Sequence, residues 1–229
     1  MHLPFVSCIM PTANRSKFAE LAVSHFLNQD YKSAELIIID DGRESIAKLL
    51  PRDDRIKYFY TEPLGSIGNK RNYACNIAQG DIIVHLDDDD WYAKDWITKQ
   101  VNILKSSRAD ICGLNEIYFF SPIVLSYWKY VDKNIKRPWL SGATMAYNKK
   151  FWEKHPFKDI HIGEDYDYLW NNGAKIYAHD YINGFCAVLH AGNTTLKPFE
   201  DARHKKHAYQ WMDVQFEGKI QPKSLNNYE

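Results

Sequence analysis

The stretch Asp81-Ile82-Ile83-Val84-His85-Leu86-Asp87-Asp88-Asp89-Asp90 decides the fold of this chain. Its first part is a short, mostly apolar run, which predicts a buried β-strand. Its second part places four carboxylates in succession directly after that strand. Adjacent carboxylates repel one another, so the folded chain must offset that cost. Carboxylate oxygens suit Mg²⁺ or Mn²⁺, and this strand end is therefore a candidate site for a divalent cation.

The four carboxylates divide into two pairs if the segment is extended. Asp87 and Asp89 then face one side, and Asp88 and Asp90 face the other. One pair is available to a metal, and the other to a sugar hydroxyl or a helix N-terminus. The alternative is a solvated acidic turn that caps the helix predicted from Lys94, but the position after a buried strand favours a functional site.

Strands and helices alternate on both sides of this stretch. Apolar runs predict strands at residues 5–10, 35–40, 56–60 and 111–120, and later at 143–147 and 184–190. Helical spacing predicts helices from Ser16, which is a candidate cap, and at residues 71–78, 94–104, 149–154 and 165–171, with Gly80 ending the second helix. This order predicts an α/β domain with a mostly parallel central sheet and helices on both faces. Ligands bind such sheets beyond the carboxyl ends of the strands.

Composition excludes several classes of protein. The 229 residues include 29 Lys plus Arg and 29 Asp plus Glu, and this neutral balance argues against a nucleic-acid partner. The most apolar stretch, residues 119–131, is too short and too interrupted to span a bilayer. The N-terminus lacks the basic start and cleavage site of a signal peptide, which predicts a cytoplasmic protein. The 4 cysteines form no C-x-x-C pair, which predicts reduced thiols in the core.

Two further segments before the carboxylates are candidates for binding. Asp40-Asp41-Gly42 follows a predicted strand, where a carboxylate can accept a hydrogen bond from a base or a ribose, although Asp-Gly is also good turn chemistry. Gly65-Ser66-Ile67-Gly68 precedes Lys70 and Arg71, and this arrangement allows a close backbone approach to a diphosphate. The segment does not match the P-loop pattern.

Two candidates follow the carboxylates. Gly163-Glu164-Asp165 begins a predicted helix, where acidic residues favour the helix dipole and where an ionised carboxylate can act as a general base. His190 ends an apolar run. A lone histidine is usually structural, and His190 becomes a candidate ligand only because a metal site is already predicted.

These segments together resemble the family-2 inverting glycosyltransferases with the GT-A fold. The resemblance covers residues 6–190 approximately, and the order and spacing of the segments carry it. The matching runs are Val6-Ser7-Cys8-Ile9-Met10-Pro11-Thr12-Ala13-Asn14-Arg15, Ile38-Ile39-Asp40-Asp41-Gly42, Lys70-Arg71-Asn72, Ala78-Gln79-Gly80-Asp81-Ile82-Ile83, Leu86-Asp87-Asp88-Asp89-Asp90 and Gly163-Glu164-Asp165-Tyr166-Asp167-Tyr168-Leu169-Trp170.

The resemblance implies a role for each candidate residue. It implies that Asp41 binds the base near the Pro11-Thr12 turn and that Arg71 contacts the nucleotide and diphosphate. It implies that Asp89 ligates Mn²⁺ or Mg²⁺, that Asp87 and Asp88 bind metal, ribose or donor sugar, and that His190 makes a further metal or phosphate contact. It implies that Asp165 is the general base and that Glu164 contacts the acceptor. Ala13 and Arg43 stand where the family often has Tyr and Ser. These departures lie at the nucleotide pocket and leave the identity of the base open.

The activity that the resemblance implies is metal-dependent transfer of a hexosyl group, with inversion, from a nucleotide-diphosphate sugar. A UDP-sugar is favoured, and the acceptor is a hydroxyl of a saccharide or a lipid-linked molecule in cell-surface polysaccharide synthesis. One GT-A domain is expected over residues 1–195, with a nucleotide-binding half (1–110), an acceptor-binding half (111–195) and a polar extension at 196–229. Candidates for stacking on acceptor sugars are Trp128, Trp139, Tyr147 and Trp152.

Two segments are candidates for contact with a membrane. Residues 203–212 are basic and aromatic, which suits an anionic surface at the inner face of the membrane as well as a lid or a solvated terminal helix. Residues 119–131 suit a dimer or membrane contact or the core. The sequence carries no signal that decides the oligomeric state.

Three other functions compete with glycosyl transfer. A sugar-nucleotide pyrophosphorylase needs a glycine-rich, arginine-containing loop after the first strand, and residues 11–14 lack glycine. A catalytically inactive nucleotide-sugar-binding module predicts loss of the base or metal motif, yet Asp165 and the carboxylates are present. A simple calcium-binding protein would need an EF-hand loop, and none is found.

Overall fold

The computed structural model describes residues 3–122, 125–131, 139–190, 192–193 and 212–213. The strands in these residues are β1 Val6–Thr12, β2 Ala34–Asp40, β3 Ile56–Tyr60, β4 Ile82–His85, β5 Trp91–Tyr92, β6 Ile111–Gly113, β7 Glu116–Ser121, β8 Ser126–Val131, β9 Ala146–Asn148, β10 Ile176–Ala178, β11 Phe185–Val188 and β12 Met212–Asp213. The α-helices are α1 Ser16–Leu27, α2 Ile67–Ile77, α3 Trp96–Ser107, α4 Lys149–Lys154 and α5 Glu164–Trp170.

A seven-stranded sheet forms the centre of the molecule, in the order β10-β6-β9-β4-β1-β2-β3. Strands β4, β1, β2 and β3 are parallel neighbours, and β9 runs antiparallel to both β4 and β6. The predicted α/β class with a mostly parallel sheet is therefore confirmed. The register pairs Thr12 with Asp40 and Ile9 with His85, so the carboxyl ends of β1, β2 and β4 lie along one edge.

Helices cover both faces of this sheet, as predicted. Alternate strand residues point to opposite faces. Cys8, Leu36 and Val84 belong to one buried cluster with residues of α1 and α3. Ile9, Ile37 and Ile83 belong to the other with residues of α2, α4 and α5. Burial on both faces explains why these strands read as continuous apolar runs rather than as alternating ones.

A second sheet, of order β12-β8-β7-β11-β5, lies beside the first. The single strand predicted at residues 111–120 is wrong, because that segment divides between the two sheets. β6 ends at Gly113, and the next backbone N–H, that of Leu114, donates to the Thr144 hydroxyl at 3.0 Å instead of to a strand. Side-chain capture of a backbone donor ends the ladder there, and β7 starts at Glu116.

Two helix boundaries differ from those that the sequence predicts. Ser16 is the first residue of α1 rather than its cap, and Arg15 precedes it without a capping side-chain bond. Gly80 does not end α2 in the left-handed conformation. Its lack of a side chain is needed because a Cβ there would lie 2.5 Å from the backbone nitrogen of Ser7. The cap of α2 is Ser66, which accepts from the Asn69 N–H, so α2 begins earlier than predicted.

The remaining structural expectations have mixed outcomes. Residues 119–131 contribute to the β7–β8 hairpin, and Phe119, Phe120 and Tyr130 are buried, so these side chains belong to the core. All four cysteines are buried and free, as predicted. Among the described helices, none is both long and apolar enough to cross a bilayer. Apart from β12, the predicted extension at 196–229, with its basic stretch 203–211, lies outside the described residues.

Candidate active site

Residues 87–90, here called the carboxylate loop, connect β4 to β5 at the carboxyl edge of the central sheet. The chain turns at Asp88 and Asp89, so the loop is not extended. The predicted division into two alternating pairs is therefore wrong, because Asp88 and Asp89 both face the side chain of Arg15. Asp87 is half-buried, and its backbone N–H donates to the Tyr92 hydroxyl at 2.9 Å.

Arg15 holds two of the four carboxylates together. Its Nη1 lies 2.9 Å from Asp88 Oδ1 and 3.0 Å from Asp89 Oδ2, and Nη2 donates to the carbonyl of Gly192. Thr12 donates to Asp88 Oδ2 at 2.6 Å. The sequence predicted no role for Arg15. The signal that was available is its position just after β1, the strand at the centre of the sheet.

Within the described residues, the four carboxylates of this loop have Arg15 and the more distant Arg71 as their arginine partners. Asp90 is buried and accepts only the Val188 N–H, at 3.0 Å, among its described contacts. Burial, with repulsion from Asp89 and Asp87, raises the pKa of Asp90 well above its usual range. Burial and Asp89 also raise the pKa of Asp88 to about 7, although Arg15 opposes this shift. Such a site favours binding of a cation.

His190 lies against the carboxylate loop, as the predicted role requires. Its Nε2 is 3.0 Å from Asp89 Oδ2, and its ring stacks on Phe18 with 4.1 Å between ring centroids. The backbone N–H of Gly192 donates to Nδ1, so a neutral ring carries its proton on Nε2 and donates to Asp89. Asn193, which the sequence analysis did not single out, donates to the same Asp89 oxygen at 3.1 Å.

The donor chemistry at this position fits Mn²⁺ or Mg²⁺, whereas the arrangement of side chains is closed around Arg15. Carboxylates with an imidazole are suitable ligands for Mn²⁺. Within the described part of the chain, however, no group of three or more His, Cys, Asp or Glu side chains is arranged to hold a metal. The guanidinium of Arg15 supplies the positive charge between Asp88 and Asp89 instead.

Arg71 links the carboxylate loop to α5. It is buried, forms an ion pair with Glu164, and lies 3.8 Å from Asp87 Oδ1. Its guanidinium also lies over the Phe157 ring, 5.7 Å from the centroid. Burial raises the pKa of Glu164 although Arg71 opposes that shift. The structure thus places Glu164 as the counterion of Arg71, which is a larger role than the favourable helix-dipole contact of an acidic first turn.

Asp165 is half-buried at the start of α5 and lies over the Cα atom of Gly142. A Cβ at Gly142 would lie 3.0 Å from Asp165 Oδ2, so only glycine leaves the carboxylate in this position. Gly142 begins the 3-10 turn Gly142–Thr144. The sequence analysis did not identify this turn as part of the site, because its contact with Asp165 joins distant parts of the chain.

A cleft of about 520 Å³ joins these groups. Its charged lining residues are Arg15, Arg71, Asp87, Asp88, Asp89, Asp90, Glu164 and Asp165. Its apolar and aromatic lining residues include Ile117, Phe119, Tyr130, Trp139, Tyr166 and Leu189. Of the four predicted stacking residues, Trp139 lines this cleft. Tyr147 and Trp152 are buried in one core cluster, and Trp128 packs against the other, so none of these three lines it. Pro11 also lines it.

Asp41 lies in a neighbouring cleft, of about 650 Å³, with Asn14, Arg43 and Tyr60 among its walls. Asp41 forms an ion pair with Lys70 and accepts the Leu64 N–H at 3.2 Å. Gly68, which was expected to approach a diphosphate, instead packs in α2 against the carbonyl of Lys158.

Comparisons with known proteins agree with this geometry. The chain matches the profile of Glycosyl transferase family 2 over residues 7–168. It is similar to an uncharacterized glycosyltransferase of Haemophilus influenzae, with 38% identity over 109 residues, 45% of this chain and 44% of the relative. It is also similar to the GalNAc(5)-diNAcBac-PP-undecaprenol beta-1,3-glucosyltransferase of Campylobacter jejuni, with 39% identity over 95 residues, 38% of this chain and 30% of the relative. The matched segments span less than half the length of these relatives.

Solved structures show the same fold. A mannosyltransferase from Pyrobaculum calidifontis in complex with GDP-Man and Mn²⁺ aligns with a TM-score of 0.65 at 19% identity, over 82% of this chain and 57% of that chain. Residues 1–349 of TarS from S. aureus in complex with UDP-GlcNAc align with a TM-score of 0.63 at 17% identity, over 83% of this chain and 60% of that chain. The fold is therefore of the GT-A type. Because the profile match covers more than half of its length, the chain belongs to Glycosyl transferase family 2.

Proposed function

We propose that this protein transfers a sugar, with inversion and with a divalent cation, from a nucleotide-diphosphate sugar to a hydroxyl of a saccharide or lipid-linked acceptor. The observation that carries the proposal is that Asp165 and the carboxylate loop line the same cleft. A general base and a site for a charged leaving group must both reach one reacting carbon, and this cleft contains both.

The donor occupies the two neighbouring clefts. Asp41 binds the base beside Pro11 and Thr12, which form the end of β1 rather than the predicted turn. Arg71 lies near the diphosphate, with Asp87 and Asp88 on the ribose or sugar. Neighbouring structures hold GDP-Man with Mn²⁺ and UDP-GlcNAc, which supports a nucleotide-sugar donor. A UDP-sugar remains the favoured donor, and Arg43 in the wall of the Asp41 cleft is a candidate for setting base preference.

The reaction is a single displacement. Asp165 takes the proton of the acceptor hydroxyl, whose oxygen forms a bond to the anomeric carbon. The bond from that carbon to the diphosphate oxygen breaks, and its electron pair leaves with the nucleoside diphosphate. Attack opposite the leaving group inverts the anomeric configuration, so no covalent sugar intermediate is required. Glu164 holds Arg71 in place beside the reacting groups and contacts the acceptor.

Asp89, with Asp87 and His190, would hold Mn²⁺ or Mg²⁺ at the carboxylate loop. A bound cation there supplies charge that stabilises the departing diphosphate. Arg15, which now contacts Asp89 Oδ2, would compete with such a cation for that oxygen.

The apolar wall of the cleft supports a saccharide acceptor. Trp139 and Tyr130, which are mostly buried, line the same cleft as the carboxylates, and aromatic rings pack well against sugar rings. One relative is named for a product on undecaprenol diphosphate, and another, from Escherichia coli, is a putative colanic acid biosynthesis glycosyl transferase. We therefore place the protein in cell-surface polysaccharide or lipid-linked glycan synthesis in the cytoplasm, at the inner face of the membrane.

The test is to replace Asp165 by Asn and to measure both turnover and nucleotide binding. Release of nucleoside diphosphate from UDP-glucose, UDP-N-acetylglucosamine and GDP-mannose is followed with Mn²⁺ and with EDTA. The unaltered protein should turn over one donor only with Mn²⁺. Asp165→Asn should lose about 10²–10⁴-fold in turnover, which is the usual worth of a general base, and should still bind the nucleotide.

Asp167→Asn is the matched control, because it makes the same change on the same helix, where Asp167 pairs with Lys158 outside the cleft. It should retain normal turnover. Equal turnover by Asp165→Asn and the unaltered protein would show that the base is assigned wrongly. Turnover that requires added pyrophosphate would identify a pyrophosphorylase, and tight nucleotide binding without any turnover would identify a binding module.

A further inference from the structure

His85 is a buried polar residue in the middle of the molecule that the reaction does not use directly. It ends β4 on the same face as Ile83, and it has no solvent exposure. Its Nδ1 lies 2.6 Å from the carbonyl oxygen of Gly142, and its Nε2 lies 3.1 Å from the hydroxyl of Tyr147. An apolar residue at this position would avoid the free-energy cost of burying a polar ring. The presence of a histidine therefore indicates that its two hydrogen bonds have a role.

The direction of the bonds follows from their partners. A carbonyl oxygen only accepts, so Nδ1 carries the proton and donates to Gly142. In a neutral ring Nε2 then accepts from the Tyr147 hydroxyl. The oxygen of Tyr147 lies 3.2 Å from the sulfur of Cys75. Burial raises the pKa of the Cys75 thiol to about 12, so the thiol keeps its proton and can donate to Tyr147. The chain of bonds therefore runs from Cys75 to Gly142 with every donor used.

The carbonyl that His85 binds belongs to the turn beneath Asp165. Gly142 begins this turn, and its Cα is covered by the carboxylate of Asp165. The next carbonyl, that of Ala143, accepts from Tyr92 at 3.0 Å, and the same Tyr92 oxygen accepts the Asp87 N–H. The turn is thus attached to β4 by His85 and to the carboxylate loop by Tyr92.

We propose that His85 is a positioning residue for the general base. By donating to the carbonyl of Gly142, it fixes the position of the Gly142–Thr144 turn, against which the Asp165 carboxylate packs. This inference rests on the proposed function of Asp165. A shift of the turn moves the base relative to the acceptor hydroxyl, and misplacement by about 1 Å can cost about 10²-fold in rate. His85 acts only through Gly142 and does not touch the substrates.

Two substitutions separate the two bonds of His85. The amide nitrogen of Asn lies close to the position of Nδ1 and can still donate to Gly142, whereas the longer side chain of Gln places its amide near the position of Nε2. His85→Asn therefore keeps the bond to the turn and loses the bond to Tyr147. His85→Gln keeps a partner for Tyr147 and leaves the Gly142 carbonyl with only the long backbone bond from the Met145 N–H, at 3.5 Å.

The measurement is kcat and KM for nucleoside diphosphate release with Mn²⁺, using whichever of UDP-glucose, UDP-N-acetylglucosamine and GDP-mannose the unaltered protein turns over fastest. We expect His85→Gln to lower kcat by about 10- to 100-fold at unchanged KM, because only the base is displaced. His85→Asn should restore kcat to within about threefold of the unaltered protein, while thermal unfolding shows both variants folded.

Tyr147→Phe is the matched control, since it removes the far bond and leaves the His85–Gly142 bond in place. It should lower the unfolding temperature without changing kcat. If Tyr147→Phe lowers kcat as much as His85→Gln does, or if His85→Gln and His85→Asn have the same kcat, the inference is wrong and His85 only stabilises the core.

Gly142→Ala decides the case if His85→Gln does not fold. The new Cβ would lie 3.0 Å from Asp165 Oδ2, so the carboxylate must shift by a few tenths of an ångström, and kcat should fall while nucleotide binding is unchanged. A normal kcat for Gly142→Ala would overturn the role of the turn. If the unaltered protein turns over no donor at all, the proposed function itself fails, and the positioning role fails with it.

Discussion

Two acidic strand ends lie on the same edge of the central sheet, one on each side of β1, and the structure uses them in opposite ways. After β2, Asp40 accepts from the Gly42 N–H at 2.9 Å and from the Tyr58 hydroxyl at 2.7 Å, and Asp41 has its own partner in Lys70. After β4, Asp88 and Asp89 share the single guanidinium of Arg15. Asp40 and Asp41 thus share no donor, whereas Asp88 and Asp89 share one guanidinium and receive further bonds from Thr12, His190 and Asn193.

The difference shows that acidic residues after a strand do not by themselves make a cation site. The two ends differ most clearly at Asp90, which is buried with the Val188 N–H as its described donor, and we expect such a carboxylate to favour an added cation. The β2 end is complete with the protein's own groups, and its Asp40 serves the loop rather than a ligand. The β4 end keeps raised pKa values at Asp88 and Asp90, and it is the end that we expect to respond to Mn²⁺.

The largest expected effect is at Asp89, the residue of the carboxylate loop that contacts His190. Asp89→Ala should weaken Mn²⁺-dependent nucleotide binding by at least about 100-fold, because loss of a ligand costs no less than loss of a supporting contact. The measurement is calorimetric titration of UDP and GDP with and without Mn²⁺. Unchanged Mn²⁺-dependent affinity would remove the distinction between the two strand ends.

Asp40 gives the opposite result if the comparison is correct. Asp40→Ala should reduce the free energy of unfolding by about 3 kcal/mol, because the buried donors of Gly42, Ile46 and Tyr58 lose a charged acceptor. The stabilisation by Mn²⁺ with nucleotide should remain. Urea unfolding with and without Mn²⁺ measures both quantities, and loss of the Mn²⁺ effect here would place the cation at the wrong strand end.

A buried histidine away from both strand ends makes the free energy of unfolding depend on pH independently of the two acidic clusters. His179 follows β10, an edge strand of the central sheet, and burial lowers its pKa to about 4. Between pH 6.5 and 4 the unfolded chain binds a proton there that the folded protein does not, so stability is full above about pH 6.5 and falls as the pH decreases.

His179→Gln should remove that contribution. The free energy of unfolding of the variant should therefore decrease by about 2–3 kcal/mol less than that of the unaltered protein between pH 7 and 4. The unfolding free energy is measured by urea titration at several pH values between 7 and 4. A variant with the same acid-side slope as the unaltered protein would show that His179 is not the group responsible.

Arg15 gives the smallest but most specific effect. Arg15→Met should lower the unfolding temperature without metal by about 2–4 °C, as a loss of about 1 kcal/mol does in a domain of this size. It should also enlarge the rise in that temperature caused by Mn²⁺, because a competing internal cation is gone. Arg55→Met is the control, since Arg55 pairs with Asp53 away from the site. Equal Mn²⁺ effects in both variants would show that Arg15 and the metal do not compete.

Much of the site was predictable because it follows from local pattern and one topological rule. The strand ends that carry Thr12, Asp41 and the carboxylate loop could be predicted from apolar runs followed by polar residues. Asp165 was predictable from the acidic start of a helix together with the order of the family's segments. The same reasoning failed at residues 111–120, because an apolar run does not show that one backbone donor is diverted to Thr144.

The sequence by itself determined the class of fold, the edge of the sheet where the candidate site lies and the family to which the chain belongs. These depend on periodicity and on the order of motifs along the chain. Only the tertiary structure decided that Arg15 serves two carboxylates, that Glu164 serves Arg71, and that His85 supports the turn under Asp165. Those contacts join residues far apart in the chain, and no local pattern encodes which distant donor reaches a given buried acceptor.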